Sequence, residues 1–253
     1  MHLKFKYFFG SGLLIVLLSL LSCTEDKNQT TTTWCVLLDM SGVRQDLQTR
    51  QRYSDNFTKL IEKIGAEDVL VVGLITESSI NEPEYIANHK FLSFKPTTDN
   101  ELIMNMEKSK FDSVLNLEKS MITTKVQNFI LNSERLAKTT DIISAIHVAE
   151  NVFKKNTHLN KYLILLSDME QYSADYRFPV ENLNDDRNKQ IIELEQKKPR
   201  GLPDLTGVKV YVAGARSRDS DRFFRIKNFW LTYFDACHAS LMKEDYGAAL
   251  IQL

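Results

Sequence analysis

Four apolar runs with little polar alternation organise the sequence. They occupy residues 34–38, 69–75, 162–166 and 208–213, and such runs are typical of strands buried on both faces of a parallel sheet. Residues 51–64 lie between the first two runs and residues 141–153 lie before the third, and both stretches have apolar residues at helical spacing. This alternation predicts an α/β fold: a doubly wound, mainly parallel sheet with helices on both faces.

The remaining stretches are less regular. Residues 80–135 hold a strand at 85–94 and then a long charged helical region, which we interpret as an elaboration at the edge of the sheet. A charged helix follows at 185–197, and the last helix begins near 217–220. Its aromatic residues fall at helical spacing and predict core packing. The final residues 246–251 fit either a terminal strand or a helix end.

The N-terminal segment resembles the export signal of bacterial lipoproteins. Lys4 and Lys6 precede an apolar run at 8–21, which is too short for a confident membrane span and suits a secretory signal. The run ends in Leu-Leu-Ser-Cys at Cys23, similar to a lipobox. The resemblance implies a signal peptide at 1–22 and acylation of Cys23 with chains such as palmitate, which anchor the protein to a membrane. The alternative is an uncleaved signal anchor with an incidental cysteine.

Residues 23–33 are polar and end in four threonines, with no apolar periodicity. We interpret them as the lipidated N-terminus and a flexible tether, which leaves residues 34–253 as one domain. The expected location is therefore the bacterial cell envelope, at the outer membrane. Whether the domain occupies the periplasmic or the surface face stays open.

Composition excludes some functions. The chain has 253 residues, 43% hydrophobic and 26% charged, which is ordinary for a globular protein. Without Lys4 and Lys6 it keeps 30 of its 32 basic residues against 33 acidic ones, a net charge of −3. Because there is no basic surplus, nucleic acid is not an expected partner.

Two cysteines remain once Cys23 is lipidated. Cys35 lies in an apolar run and Cys237 beside the aromatic helix. We predict two separately buried free thiols. A disulfide between them is the alternative, because the envelope permits disulfides.

Polar residues follow the apolar runs where a sheet of this type binds ligands. Asp39 and Ser41 come after the first run, Asp168 comes after the third, and Thr140 precedes the helix at 141–153. The carboxyl ends of parallel strands meet at one edge of the sheet. Carboxylate and hydroxyl oxygens are hard ligands that Mg²⁺ or Mn²⁺ prefers.

This arrangement resembles the von Willebrand factor A (vWA) domain, across most of residues 34–250. That family carries Asp-x-Ser-x-Ser after its first strand, a threonine from a second loop, and an aspartate after a later strand. Asp39, Ser41, Thr140 and Asp168 match these positions. The resemblance implies a metal-ion-dependent adhesion site, where an acidic side chain of a protein partner completes the metal coordination. The implied function is protein recognition at a membrane, in adhesion or complex assembly, and not catalysis.

The motif is partly degenerate. Val43 stands where the family has its second serine, so one direct oxygen ligand is lost and metal affinity should fall. The alternative without metal has Asp39 capping the following helix and Ser41 bonding to the backbone.

Two other functions remain open. The first is a metal-free scaffold of an envelope complex, docking through its helical faces or through residues 80–135. The second is a phosphatase, because Asp39 to Val43 also resembles the first motif of haloacid-dehalogenase-type enzymes. Ser41 replaces the second aspartate of that motif and protonates a leaving group poorly. No histidine pair with ligand spacing and no glycine-rich phosphate loop supports another enzyme class.

Overall fold

A computed structural model of the chain describes residues 31–41, 47–77, 79–134, 137–216 and 219–250. These residues form six strands and five helices. In chain order the elements are β1 (Thr32–Asp39), α1 (Leu47–Lys63), β2 (Val69–Ile75), β3 (Tyr85–Lys90), α2 (Glu101–Asn132), α3 (Ile142–Lys155), β4 (Asn160–Leu166), α4 (Asp185–Lys197), β5 (Val208–Ala213), α5 (Ser220–Ala236) and β6 (Ser240–Gly247).

The six strands form one sheet in the order β3-β2-β1-β4-β5-β6. All neighbouring pairs are parallel except β2 and β3, which are antiparallel. The chain proceeds from β1 in one direction to β3 and then from β4 in the other direction to β6. The predicted doubly wound, mainly parallel sheet is therefore confirmed, and its strand order reverses between β1 and β4.

Each face of the sheet carries its own hydrophobic core. Helices α3, α4 and α5 cover one face, and α1 and α2 cover the other. Successive residues of a strand point to opposite faces, so Cys35 and Leu37 of β1 enter the first core while Val36 and Leu38 enter the second. A strand buried on both sides needs apolar residues at every position, which is why β1 is a continuous apolar run.

Strand β1 begins two residues earlier than the predicted domain boundary. Thr32 and Thr33 are buried; Thr33 pairs with both β2 and β4, and Thr32 pairs with β4. The Asp68 carboxylate accepts hydrogen bonds from the Thr32 N–H at 2.8 Å and from the Trp34 Nε1–H at 3.0 Å. The last threonines of the predicted tether at 23–33 thus belong to the sheet, because their backbone is paired with β4 and held on the other side by β2 or by the Asp68 side chain.

The described residues from 80 to 134 lie at one edge of the sheet and against α1. Strand β3 is shorter than predicted, ending at Lys90, and it is the antiparallel edge strand. Helix α2 is continuous over 32 residues. It packs against α1 and β3.

The C-terminal part confirms one prediction and adds a strand. The aromatic residues Phe229, Trp230, Tyr233 and Phe234 of α5 are each 0% exposed and pack in the core against the sheet. Strand β6 follows at Ser240–Gly247, whereas the sequence indicated order only near its end. Its charged, exposed pattern hides it from a search for apolar runs.

Cys35 and Cys237 are both free and each 1% exposed, as predicted. Burial raises the pKa of both thiols to about 12. The predicted signal peptide and Cys23 lie outside the described residues. Among the helices within those residues, none combines the length and the apolar character that crossing a membrane requires.

Candidate functional site

Asp39 is the centre of the candidate site, at the carboxyl end of β1 beside the reversal of strand order. Its side chain is buried, with the residue only 2% exposed. One carboxylate oxygen accepts a hydrogen bond from the Ser41 N–H at 2.9 Å, and the other accepts one from the Ser167 hydroxyl at 2.6 Å. Ser167 follows β4, so the ends of the two central strands are joined through this carboxylate.

Ser41 and Thr140 meet at the same place. The Thr140 hydroxyl donates a hydrogen bond to the Ser41 hydroxyl. Thr140 is held by two backbone hydrogen bonds with Tyr172, each 2.8 Å long. The loop that carries Thr140 is therefore fastened to the segment that follows β4, and the structure brings Asp39, Ser41 and Thr140 together.

Asp168 lies next to this group, directly after Ser167. One oxygen of its carboxylate accepts the Glu170 N–H at 2.9 Å. The following residue, Met169, has a left-handed backbone with φ of 65° and a fully buried side chain. The Trp230 Nε1–H donates to the Met169 carbonyl at 2.9 Å. This turn points Met169 into the core and leaves Asp168 at the edge of the sheet formed by the carboxyl ends of β1 and β4, which we call the rim.

The two acids are in an environment that opposes their negative charges. Burial raises the pKa of Asp39, and hydrogen bonds from Ser167 and Ser41 act against this rise. Desolvation and the charge of Asp39 raise the pKa of Asp168. Asp168 as a residue is open to solvent, and the charge of Asp39 acts on it across the rim. A cation between the two carboxylates would reverse both effects.

The donor set fits a hard divalent cation. The Asp39 carboxylate lies against Ser41, whose hydroxyl meets that of Thr140, and the Asp168 carboxylate is close enough for its charge to act on that of Asp39. All four supply oxygen ligands of the kind that Mg²⁺ and Mn²⁺ take together with water. Within the described part of the chain, no cluster of three or more histidine, cysteine, aspartate or glutamate residues could hold a metal, so hydroxyl groups and water would have to complete the coordination at this site. Val43, which replaces the second serine of the motif, lies outside the described residues.

Two polar residues that support the site were not assigned this role from the sequence. Ser167 is 0% exposed, donates to Asp39 and accepts the Met169 N–H at 2.9 Å. Gln171, also 0% exposed, accepts from the first two N–H groups of α3 at 2.7 and 3.2 Å and donates to Asp141 at 2.9 Å. No sequence pattern marks a single serine or a single glutamine as a residue that supports a site. The role of Ser167 and Gln171 depends on which strand end or helix start the fold places beside each of them.

Gly214 closes the packing beneath the rim, at the end of β5. Its φ is 110°, and a Cβ at this position would lie 2.6 Å from Tyr53 Cε1 and 2.9 Å from the Ser167 carbonyl oxygen. Tyr53 is buried, and its pKa is raised by burial and by the charges of Asp39 and Asp168. Glycine at this position lets the aromatic ring lie directly under the two acids.

A separate cavity of about 250 Å³ lies between α3 and α4 and is not lined by any of the four predicted ligands. His147, Tyr176 and Glu195 line it. The Tyr176 hydroxyl donates to Glu195 at 2.6 Å, and the Lys198 ammonium lies 2.7 Å from the same carboxylate. The buried Tyr176 and Glu195 thus satisfy each other with the help of the exposed Lys198, and His147 pairs with Glu150, which explains them as structural groups.

Comparisons with known proteins give matches of fold at low identity. Proximal thread matrix protein 1 from the mussel byssus matches with 15% identity and a TM-score of 0.40, over 78% of this chain and 41% of that chain. The ArnB paralog VWA2 from Sulfolobus acidocaldarius matches with 13% identity and a TM-score of 0.41, over 79% and 38%. A von Willebrand factor type A protein from Catenulispora acidiphila matches with 9% identity and a TM-score of 0.37, over 82% and 43%.

The chain thus spans about two fifths of the length of each of these solved structures. No protein-family model matches the chain, and the search of curated proteins gives no match.

Proposed function

We propose that this chain is a membrane-anchored protein-recognition module of the vWA type. In this proposal Asp39, Ser41, Thr140 and Asp168 hold Mg²⁺ or Mn²⁺, and an acidic side chain of a protein partner completes the coordination. The domain works by binding and not by catalysis.

The observation that carries the proposal is the meeting of Asp39, Ser41 and Thr140 at the reversal of strand order, with Asp168 close enough for its charge to act on that of Asp39. They come from separate parts of the sequence, yet Asp39 reaches the end of β4 through Ser167 and Ser41 reaches the α3 loop through Thr140. In open α/β sheets this is the place where ligands bind.

A bound divalent cation would supply positive charge and an open coordination position to this rim. Asp39 is buried and already oriented by two hydrogen bonds, so it would bind without rearrangement of β1. Asp168, open to solvent on the rim, would supply a second negative charge to the cation. A carboxylate of the partner is then the complementary ligand.

The proposed anchor agrees with the direction of β1. We propose that Cys23 is acylated and holds the protein at the outer membrane of a bacterial envelope. The chain enters the sheet at Thr32 and reaches the rim at Asp39, and a strand of this length spans about 26 Å at roughly 3.3 Å per residue. The chain therefore enters the sheet at the end opposite the rim, and in this proposal the rim faces a partner away from the lipid.

The test of the metal site is a calorimetric titration of Mg²⁺ and Mn²⁺ into the full-length protein in detergent. Saturable binding is expected, and Asp39→Asn is expected to weaken it by at least about tenfold, since one charged ligand is lost. Asp68→Asn is the matched control. Asp68 is also a buried aspartate bonded to β1, but at its other end, so its variant should bind the metal as the parent does.

Absence of binding up to millimolar metal would contradict the metal-dependent proposal and favour a metal-free scaffold. The hydrogen bonds from Ser41 and Ser167 to Asp39 support that second candidate, because they satisfy this buried carboxylate without a cation. Hydrolysis of an aryl phosphate that is lost in Asp39→Asn would contradict the non-enzymatic assignment.

The anchor has its own test. Cells fed an alkyne-tagged palmitate should label the parent protein, and Cys23→Ser should abolish the label and release the protein from the membrane fraction. Retention of Cys23→Ser in the membrane would instead favour an uncleaved signal anchor.

A further inference from the structure

Helix α2 has two apolar faces. Its inner face buries Leu115, Val126 and Ile130 against the domain. Six large apolar residues are between 46% and 73% exposed: Leu102, Ile103, Met106, Val114, Leu117 and Met121. At about 100° of rotation per residue these six fall within an arc of roughly 120°, opposite the inner face. We call them the outer stripe.

The outer stripe is longer than an incidental surface patch. From Leu102 to Met121 it extends for about 28 Å at roughly 1.5 Å per residue. The first part of α2 is held by Phe111, which packs on Phe94 at 5.4 Å, and by Glu107, which accepts the Thr97 N–H at 3.0 Å. The stripe is thus presented on a fixed helix, and exposed apolar surfaces of this extent mark interaction sites.

We propose that the outer stripe is the contact between two copies of this chain, whose α2 helices pair antiparallel around a two-fold axis near Asp112. The spacing of the stripe carries this inference. Ile103 and Met121 both lie nine residues from Asp112, and Met106 and Leu117 lie six and five residues from it. Across such an axis Ile103 faces Met121 of the second copy, and Met106 faces Leu117. A two-fold contact requires this self-complementarity.

The charges of α2 favour a second copy over a lipid surface. The helix carries four acidic and four basic residues, so it is neutral as a whole. A helix that lies on a membrane combines its apolar face with an excess of lysine and arginine on the polar face. Lys110 sits within the arc of the stripe, close to the proposed axis, where its aliphatic stem can cover apolar surface while the ammonium reaches solvent.

The test is cross-linking of the full-length protein in membranes and in detergent. Met106→Cys/Leu117→Cys is treated with a bis-maleimide too short to join the two positions within one helix. The control, Asn105→Cys/Asn116→Cys, has the same spacing on exposed positions of the adjacent polar flank. The native Cys35 and Cys237 are buried and stay unreactive. We expect covalent dimers from the stripe pair and several-fold fewer from the control pair.

A further substitution at the centre of the stripe checks the contact itself. Val114→Lys, added to the stripe pair, should lower cross-linking by at least about tenfold. Val114 and Lys110 both lie two residues from Asp112, so the new ammonium faces Lys110 of the second copy, and like charges facing each other oppose the contact. Unchanged circular dichroism shows that the variant is folded, as expected for an exposed position. Equal cross-linking of both pairs, or no dimer from the stripe pair, overturns the proposal. Stripe cysteines that stay monomeric, and that a water-soluble maleimide labels in detergent but not in membranes, assign the stripe to lipid and overturn it as well.

Discussion

Gly214 shows how closely single residues are fitted beneath the candidate site. A side chain at this position meets both a left-handed backbone and the Tyr53 ring, whereas Gly207 has a similar backbone, with φ of 78°, and no atom within 4 Å of a new Cβ. A substitution at Gly207 therefore tests backbone strain alone, whereas a substitution at Gly214 tests backbone strain and close packing together.

We predict that Gly214→Ala lowers the free energy of unfolding by more than Gly207→Ala does. Strain alone costs about 1–2 kcal/mol at either position, and displacement of Tyr53 or Ser167 adds about 1–3 kcal/mol at Gly214. Urea unfolding followed by circular dichroism measures both. Equal losses would show that Tyr53 moves aside freely and that the rim is not tightly packed.

His147 gives the domain a dependence on pH that is independent of the candidate metal site. It is 7% exposed on α3, and burial lowers its pKa below the usual 6.5, while Glu150, 3.5 Å away, acts in the opposite direction. Arg200 also opposes its protonation, and Glu195 favours it. The native state therefore binds this proton less readily than the unfolded chain.

Protonation of His147 lowers the stability of the fold, because the unfolded chain binds this proton more readily than the native state does. Stability contributed by neutral His147 is present above about pH 6.5 and is lost as the pH falls below that value, since unfolded chains then take up more protons. We predict that His147→Gln flattens the pH dependence of the melting temperature between pH 7 and pH 5. An unchanged slope in this variant would mean that other groups govern stability in this range.

At the scale of elements, α5 positions the turn that carries Asp168. Trp230 donates its Nε1–H to the Met169 carbonyl from the centre of the aromatic core. Neighbouring Phe229 is equally buried, but as a hydrocarbon ring it forms no hydrogen bond to the turn. Phe229 therefore contributes only to core packing, whereas the adjacent Trp230 also holds the turn that carries Asp168 in place.

We predict that Trp230→Phe accelerates hydrogen exchange of the backbone amides at 168–171 relative to the rest of the domain. The variant leaves the buried Met169 carbonyl without this donor and lowers stability by about 1–3 kcal/mol. Phe229→Leu should lower stability through packing while leaving the relative exchange of the turn unchanged. If both variants loosen the turn equally, the indole hydrogen bond has no special role.

At the scale of the whole molecule, the sheet lies between two hydrophobic cores. Both buried thiols lie in the same core, so their reactivity measures how that core opens. Cys35 and Cys237 both belong to the core on the α3, α4 and α5 side, although they come from opposite ends of the domain sequence. With pKa values of about 12 they are protonated near neutral pH, and protonated, buried thiols react slowly.

We predict that neither thiol reacts with a maleimide at pH 7.5 in the native protein, and that both react at the rate of global unfolding in urea. Mass spectrometry of the labelled peptides distinguishes the two sites. Rapid native labelling of Cys237 alone would reveal local opening at the end of α5, and would contradict a single cooperative domain.

The fold was predictable because its strongest signals are local. Strands β1, β2 and β4 are buried on both faces, and such strands need apolar residues at successive positions, so they appear in the sequence as unbroken apolar runs. The runs also placed Asp39 and Asp168 at strand ends, where a doubly wound sheet gathers its polar residues. Strand β6 has no such signal, since an edge strand with exposed charges resembles a loop.

By itself the sequence therefore determined the class of the fold, its buried aromatic helix, and the end of the sheet at which polar residues meet. The tertiary structure alone decided that Ser167 bonds Asp39, that Gln171 holds the start of α3, and that α2 turns a second apolar face outward. The physical reason is that burial imposes a period on neighbouring positions of one element, whereas a hydrogen bond or an exposed face depends on which distant element the fold places beside it.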